Sequence, residues 1–150
     1  VSGLDLVQWQ IRIANGEKLP YSQEEITLTG HAIEARITAQ DPENDFAPST
    51  GKITRWEAPG FGGVRLDTHV YAGFSVSPFY DPMIAKLIVT GKDRADAVNK
   101  LGIALDEFNV EGIQTNIPFL RKLVRHPDYV KGEVSTAFVG RFLKEQLAHV

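Results

Sequence analysis

No cysteine occurs in the 150 residues. That removes a disulfide framework, a thiolate nucleophile and any cysteine-based zinc site from consideration, and it is compatible with a reducing compartment. Nor is there an apolar run near the roughly 20 residues that a spanning helix needs. The first residues lack the basic-then-apolar pattern of a secretory signal. Positive charge is not in excess, since 16 Lys and Arg stand against 19 Asp and Glu, a formal net charge of −3. Proteins that follow a phosphate backbone neutralise it with clustered Lys and Arg, so neither nucleic acid nor membrane is an expected partner. Internal repeats and low-complexity tracts are also missing. What is present is 43% hydrophobic and 23% charged, the composition of a folded, water-soluble unit. The 150 residues are read as one domain with a core of its own. The chain opens without methionine on residues that already read as helix, which implies a fragment of something longer.

Residues 60–86, GFGGVRLDTHVYAGFSVSPFYDPMIAK, stand apart from ordinary packing. Over residues 64–71 the pattern alternates, with Val64, Leu66, Thr68 and Val70 on one side and Arg65, Asp67, His69 and Tyr71 on the other. One face belongs to a core and the other to chemistry. The three glycines of GFGG allow a tight bend and a close approach just before Arg65. A phosphate-binding loop is not expected there, because such loops open a helix and this one opens an alternating strand. Asp67 and His69 are the neighbours on the polar face placed to orient Arg65, but a lone histidine on a strand is expected to be structural or exposed rather than a direct participant.

Elsewhere the periodicities read as a helix–strand mixture. Ser2 and Asp5 form a capping-box pattern ahead of a helix carrying Leu4, Val7, Ile11 and Ala14, which Asn15-Gly16 stops. Residues 31–39 alternate as a strand, with Ile33, Ala35 and Ile37 facing one way and Glu34 and Arg36 the other, the charges being expected as a structural ion pair. QDPENDFAPSTG is a loop anchored by Phe46. Residues 52–57 read as a short strand joined by a bend at 59–63 to the Arg65 strand, an expected hairpin. MIAKLIVTG is a strand apolar on both faces except for Lys86, which either snorkels to an edge or pairs with a carboxylate such as Glu34 or Asp81. Asp93 caps a helix with Ala97, Leu101, Ala104, Leu105 and Phe108 inward. Asn116 caps another, with Pro118 in its first turn, Leu120, Leu123 and Val124 inward and His126-Pro127 as its stop. A last helix starts at Ser135 or Thr136 and carries Phe138, Phe142 and Leu147. Three or four strands followed by helices point to an α+β fold with the helices laid on the sheet.

Taken together, GHAIEARITAQDP, APSTGKI, GGVRLDTHVYAG, SPFYDPMIAKLIVTG and GIQTNIPFL closely resemble the C-terminal domain of biotin carboxylase. The likeness runs over essentially the whole chain in the family's order and approximate spacing. GEVSTAF resembles the α-subunits of acyl-CoA carboxylases, of the propionyl-CoA, methylcrotonyl-CoA or acetyl-CoA type. The resemblance implies an antiparallel β-sheet with helices packed on it. It also implies an ATP- and bicarbonate-dependent carboxylation of biotin held on a carrier domain, in which carboxyphosphate forms first and a ring nitrogen of biotin then takes up CO₂. The family's biotin-contacting arginine lies in its GVR segment and falls on Arg65, the single catalytic and biotin-binding residue expected here. An arginine is effectively always protonated, so its expected role is to stabilise negative charge on the ureido oxygen rather than to act as a base.

The same resemblance implies what lies outside this sequence. The ATP-grasp part, with its nucleotide loop and Mg²⁺-binding carboxylates, precedes Val1, and no metal ligand is expected among these residues. The Met-Lys-Met signature of a biotin-bearing carrier is also missing, so this chain alone is expected neither to bind ATP tightly nor to carboxylate free biotin. Implied partners are the carrier domain, the upstream ATP-grasp domain, a carboxyltransferase subunit and a second copy of the enzyme, in the cytoplasm or, in a eukaryote, the mitochondrial matrix. A rival reading makes the unit a non-catalytic interaction or dimerisation module, with Lys92 and Arg94 at the contact or simply solvated.

Overall fold

The computed structural model describes the backbone of residues 1–148 and the side chains of residues 1–145. Leu147, expected on the last apolar stripe, lies outside the described side chains. The chain forms α1 (Leu6–Ala14), a 3-10 turn (Gln23–Glu25), β1 (His31–Thr38), β2 (Gln40–Asp41), β3 (Ala47–Pro48), β4 (Gly51–Lys52), β5 (Arg55–Glu57), β6 (Val64–Thr68), β7 (Ser75–Val76) and β8 (Met83–Gly91). It continues through α2 (Arg94–Glu107), β9 (Asn109–Glu111), α3 (Ile117–Val124), α4 (Pro127–Lys131) and α5 (Phe138–Ala148). The order expected of an α+β fold, strands first and helices after, holds apart from α1 and β9.

The main sheet has three antiparallel strands in the order β1-β8-β6. Alternation decides its two faces. Ile33, Val89 and Val64 form one cross-strand row, and Ala35, Leu87 and Leu66 form the next. Both rows point to the core, where Ile37, Leu87 and Val89 are fully buried. Onto this face α2 lays Leu101, Ala104 and Leu105, with Phe108 just past its end. Each large apolar side chain so buried contributes about 1.5–3 kcal/mol. Asp93 caps α2 as its sequence position predicts, its carboxylate accepting from the Asp96 amide at 2.8 Å.

The expected hairpin between residues 52–57 and the Arg65 strand does not form. That segment splits at Ile53, a fully buried residue whose amide donates to the Phe74 carbonyl, and its halves pair elsewhere. β4 pairs with β7, and β5 pairs with β9. The pairing with β9 brings Trp56 edge-on to Phe108, ring centroids 5.1 Å apart, so aromatic packing outweighs the short connection. A side chain on Gly112, at the end of β9, would collide with the Lys52 carbonyl, and φ there is +96°. The segment 40–51, expected as a loop throughout, contains the short strands β2 and β3, which pair with each other, while Phe46 anchors the turn between them against Phe119 as expected.

Several ends differ from expectation. Asp5, not Ser2, caps α1, accepting from the Gln8 amide at 2.9 Å. α1 has no buried residue, and Leu6, Val7, Ile11 and Ile13 are exposed. His126-Pro127 stands at the stop expected of it, since α3 ends at Val124 with Arg125 as its C-cap, and it also opens the next helix. His126 caps α4, with Pro127 in its first turn and the imidazole Nδ1 accepting from the Asp128 amide. α5 begins at Phe138, after a turn in which the Phe138 amide bonds the Ser135 carbonyl. Phe138 and Phe142 pack with Leu123 in a second small core.

Asn116 precedes α3 but makes no side-chain cap. Its amide group faces the open edge of β1, with Oδ1 accepting from the Thr38 amide and Nδ2 donating to the Arg36 carbonyl, both at 2.9 Å. One buried side chain thus serves as a further stretch of strand. Arg121 does the same service for a helix end, donating to the carbonyls of Leu105 and Asp106 in the last turn of α2 and of Phe108 just past it. Arg94 turns inward as well, donating to the carbonyls of Tyr129 and Val130.

Candidate functional site

The face of the sheet away from α2 carries the charges. Its two rows are Glu34, Ile88 and Arg65, then Arg36, Lys86 and Asp67. Arg65 arrives there because of the glycine that precedes the strand. Gly63 has φ +88°, its carbonyl accepts from the Thr90 amide at 2.7 Å, and a Cβ on it would come within 2.8 Å of the Thr90 carbonyl. The backbone therefore enters β6 pressed against β8, already in register, and the next outward side chain is Arg65.

Arg65 is 72% exposed and is held by its neighbour two residues along the same face. Nε donates to Asp67 Oδ1 at 2.9 Å and Nη2 donates to Oδ2 at 2.8 Å. This is a bidentate pair, the geometry in which a guanidinium fork matches a carboxylate. It raises the Arg65 pKa further above its ordinary value. The Asp67 carboxyl is held below its usual range, first by the Arg65 hydrogen bond and less by the positive charges of Arg65 and Lys86. Of the five guanidinium N–H groups, Asp67 takes two. The edge shared by Nη1 and Nη2 has no bond to any described residue.

Beside this pair lies a shallow hollow of about 230 Å³ bounded by Asp67, His69, Met83 and Lys86. Lys86 is half-buried and sits between Arg36 and Asp67 across the strands. The carboxylates expected to pair with it are engaged elsewhere. Glu34 meets Arg36 at 3.4 Å, and Asp81 accepts from the Met83 amide at 2.8 Å. Among the described residues Lys86 makes no ion pair within 4 Å, so its expected buried partner is not found and its side chain borders the hollow instead. The Glu34–Arg36 pair forms as expected but stands exposed, where such pairs contribute little. His69 gives Arg65 no hydrogen bond; its ring packs edge-on to Phe74 at 5.5 Å, a structural contact of the kind expected of it.

Alternation alone brought Arg65 and Asp67 to one face. The contribution of β8 to that face was not legible in the same way, because only cross-strand register sets Lys86 opposite Asp67. Asn116, which completes the β1 edge behind the site, gave no local signal at all beyond its position before a helix.

Comparison with known proteins gives a consistent result. Residues 34–141 match the family described as "Biotin carboxylase C-terminal domain". The biotin carboxylase of Halalkalibacterium halodurans is 51% identical over 144 residues, covering 96% of this chain and 32% of that protein. The mitochondrial methylcrotonoyl-CoA carboxylase subunit alpha of Mus musculus is 47% identical over 148 residues, covering 98% of this chain and 21% of that protein. Among solved structures, the biotin carboxylase domain dimer of Hydrogenobacter thermophilus 2-oxoglutarate carboxylase, in complex with MgADP, ADP and bicarbonate, is similar with a TM-score of 0.87 and 41% identity. That match covers 94% of this chain and 31% of the other. The chain thus spans about a third or less of the length of these relatives.

Proposed function

The chain belongs to the biotin carboxylase C-terminal domain family, and on that premise we propose that it contributes Arg65 to the ATP- and bicarbonate-dependent carboxylation of carrier-bound biotin. The observation that carries this reading is a guanidinium pinned along one edge by Asp67 and open along the other, facing away from the core. Biotin supplies a planar ureido ring whose nitrogen takes up the carboxyl group. Biotin bound here would develop negative charge on its ureido oxygen during that transfer, and Arg65 would offer parallel N–H donors to it. Donors fixed in advance where charge develops are the largest single catalytic device in many enzymes. The residues fit such a group, since a small flat ring meeting the exposed, unbonded guanidinium edge has the apolar Ile88 beside it in the same cross-strand row.

Nucleotide and metal are another matter. Among the described residues no group of three His, Asp or Glu is placed to hold a metal ion. From the family resemblance we assign ATP and Mg²⁺ to the ATP-grasp part of the enzyme and route no step of this chain through them. The partners proposed are that part, the biotin carrier domain, a carboxyltransferase subunit and a second copy of the enzyme, in an acyl-CoA carboxylase α-subunit. The compartment proposed is the cytoplasm, or the mitochondrial matrix if the source is eukaryotic. Arg94 is engaged within the fold, which weakens the purely interactive reading that put it at a subunit contact.

The test places Arg65→Ala and Arg65→Lys in the complete carboxylase and follows biotin carboxylation together with melting temperature. Loss of a donor aimed at developing charge costs about 10²–10³ in turnover. Lysine is expected to restore little of it, because it lacks the planar fork. The melting temperature should stay where it is, since the side chain is largely exposed. Near-normal carboxylation in both variants would overturn the assignment, and inactivity with a collapsed melting temperature would make Arg65 a structural residue.

A further inference from the structure

We propose that Asp67 is the positioning residue of this site, fixing the roll of the Arg65 guanidinium so that its Nη1/Nη2 edge is what the ureido group of biotin meets. The proposal rests on the reading of Arg65 given above. An exposed arginine on a strand is ordinarily free to rotate about several bonds, and each orientation points its donors elsewhere. Two bonds of 2.8 and 2.9 Å to one carboxylate leave the guanidinium plane a single in-plane setting.

The carboxylate is placed by the same rule that places the arginine. Arg65 and Asp67 are two residues apart on β6 and so share a face without any loop to position them. Asp67 is the less exposed of the two, at 41%. It lies in register with Lys86 on β8, itself flanked by Arg36 on β1. The Arg65 hydrogen bond first, and the charges of Arg65 and Lys86 after it, hold its carboxyl below the usual range, which makes it a fixed acceptor rather than a proton donor. Its charge opposes the charge that develops on a bound ureido oxygen. Asp67 therefore acts through geometry, and its benefit appears only while Arg65 is present to be held.

That last condition makes the proposal testable by a double-mutant cycle. In the complete carboxylase, Asp67→Asn removes one of two carboxylate acceptors and turns an N–H₂ toward the guanidinium. The freed rotamer entropy of one arginine corresponds to roughly a 10–30-fold loss in carboxylation of free biotin, with an unchanged melting temperature. Asp67→Glu should recover part of the rate, since it keeps both oxygens on a longer stem. In an Arg65→Ala background, adding Asp67→Asn should change the rate by no more than about twofold if the two act as one unit.

A second readout does not depend on turnover. In this chain the Arg65 Nε–H resonance, identified by its loss in Arg65→Lys, should exchange slowly with solvent, and that protection should vanish in Asp67→Asn. Unchanged protection in Asp67→Asn would overturn the proposal. So would a rate within about twofold of wild type in a background where Arg65→Ala is strongly impaired, or an undiminished Asp67→Asn effect without Arg65. Near-normal carboxylation in Arg65→Ala would instead overturn the underlying reading of Arg65, and the proposal with it.

Discussion

Replacing Asn116 by alanine removes two 2.9 Å hydrogen bonds at once, from the Thr38 amide and to the Arg36 carbonyl. The residue is only 9% exposed, so water reaches the vacated groups poorly. A buried backbone group deprived of its partner costs about 1–3 kcal/mol. Two such groups, with some hydration regained at the strand edge, give a loss of roughly 2–4 kcal/mol. For a chain of this length that corresponds to a fall in melting temperature of roughly 5–15 °C. Asn116→Asp is the sharper variant, because it has nearly the same shape. Its carboxylate still accepts from Thr38, but its second oxygen faces the Arg36 carbonyl, acceptor against acceptor. Protonation replaces that clash with a donated hydrogen bond. The folded-state pKa of the introduced carboxyl should therefore lie above its unfolded value of about 3.9. A raised folded pKa gives stability that is present below the unfolded value and lost as pH rises through the folded one. Thermal melts of wild type, Asn116→Ala and Asn116→Asp at pH 4 and pH 7.5 check this. Asn116→Asp should be at least as damaging as Asn116→Ala at pH 7.5 and should recover relative to wild type at pH 4. An Asn116→Asp melt matching wild type at pH 7.5 would refute the double hydrogen bond as the reason for asparagine.

Gly63→Ala should lower the melting temperature and biotin carboxylation together, because φ +88° and a 2.8 Å approach to Thr90 both exclude a Cβ. A strain of about 1–3 kcal/mol is expected for a non-glycine residue there, and an unchanged melt would show that the bend relaxes freely. Lys86→Met should leave thermal stability unchanged or slightly raised, since Lys86 has no ion pair within 4 Å among the described residues and its stem already lies half-buried on the sheet. A drop in melting temperature of more than about 5 °C, the size of a broken buried pair, would restore the ion-pair assignment.

The strands and helices of the core were legible because their periods of two and near four survive in sequence, as in Ile33, Ala35, Ile37 and in Ala97, Leu101, Ala104, Leu105. Arg65 and Asp67 were legible for the same reason, together with the glycines before them. What local pattern does not carry is non-local. The strand 52–57 divides because Ile53 is pulled into the core and Trp56 finds Phe108, some fifty residues away. Pro127 marks the end of α3 as its position implies, but the start of α4 at the same residue is not legible, because the residue that cannot continue a helix is also well suited to begin one. The apolar stripe of α1 was read correctly as helix, yet periodicity does not say what covers a face, and among the described residues α1 buries none of it. The apolar neighbours of Lys86 suggest a buried pair, but its adjacent residues Ala85 and Leu87 point to the opposite face, and only cross-strand register sets Arg36 and Asp67 beside it.

Because Gly63 is locked to Thr90 and side chains on β6 reverse direction at every step, the location of this site is a question of parity. Substituting Arg65 changes the chemistry and leaves the architecture alone. Deleting or inserting a single residue between Gly63 and Arg65 would do the opposite, turning Val64 and Leu66 to solvent and Arg65 and Asp67 under α2. Variation along β6 should then be less tolerated in number than in identity, so a family of such chains would carry its length differences before Gly63 or after Thr68 and never between them.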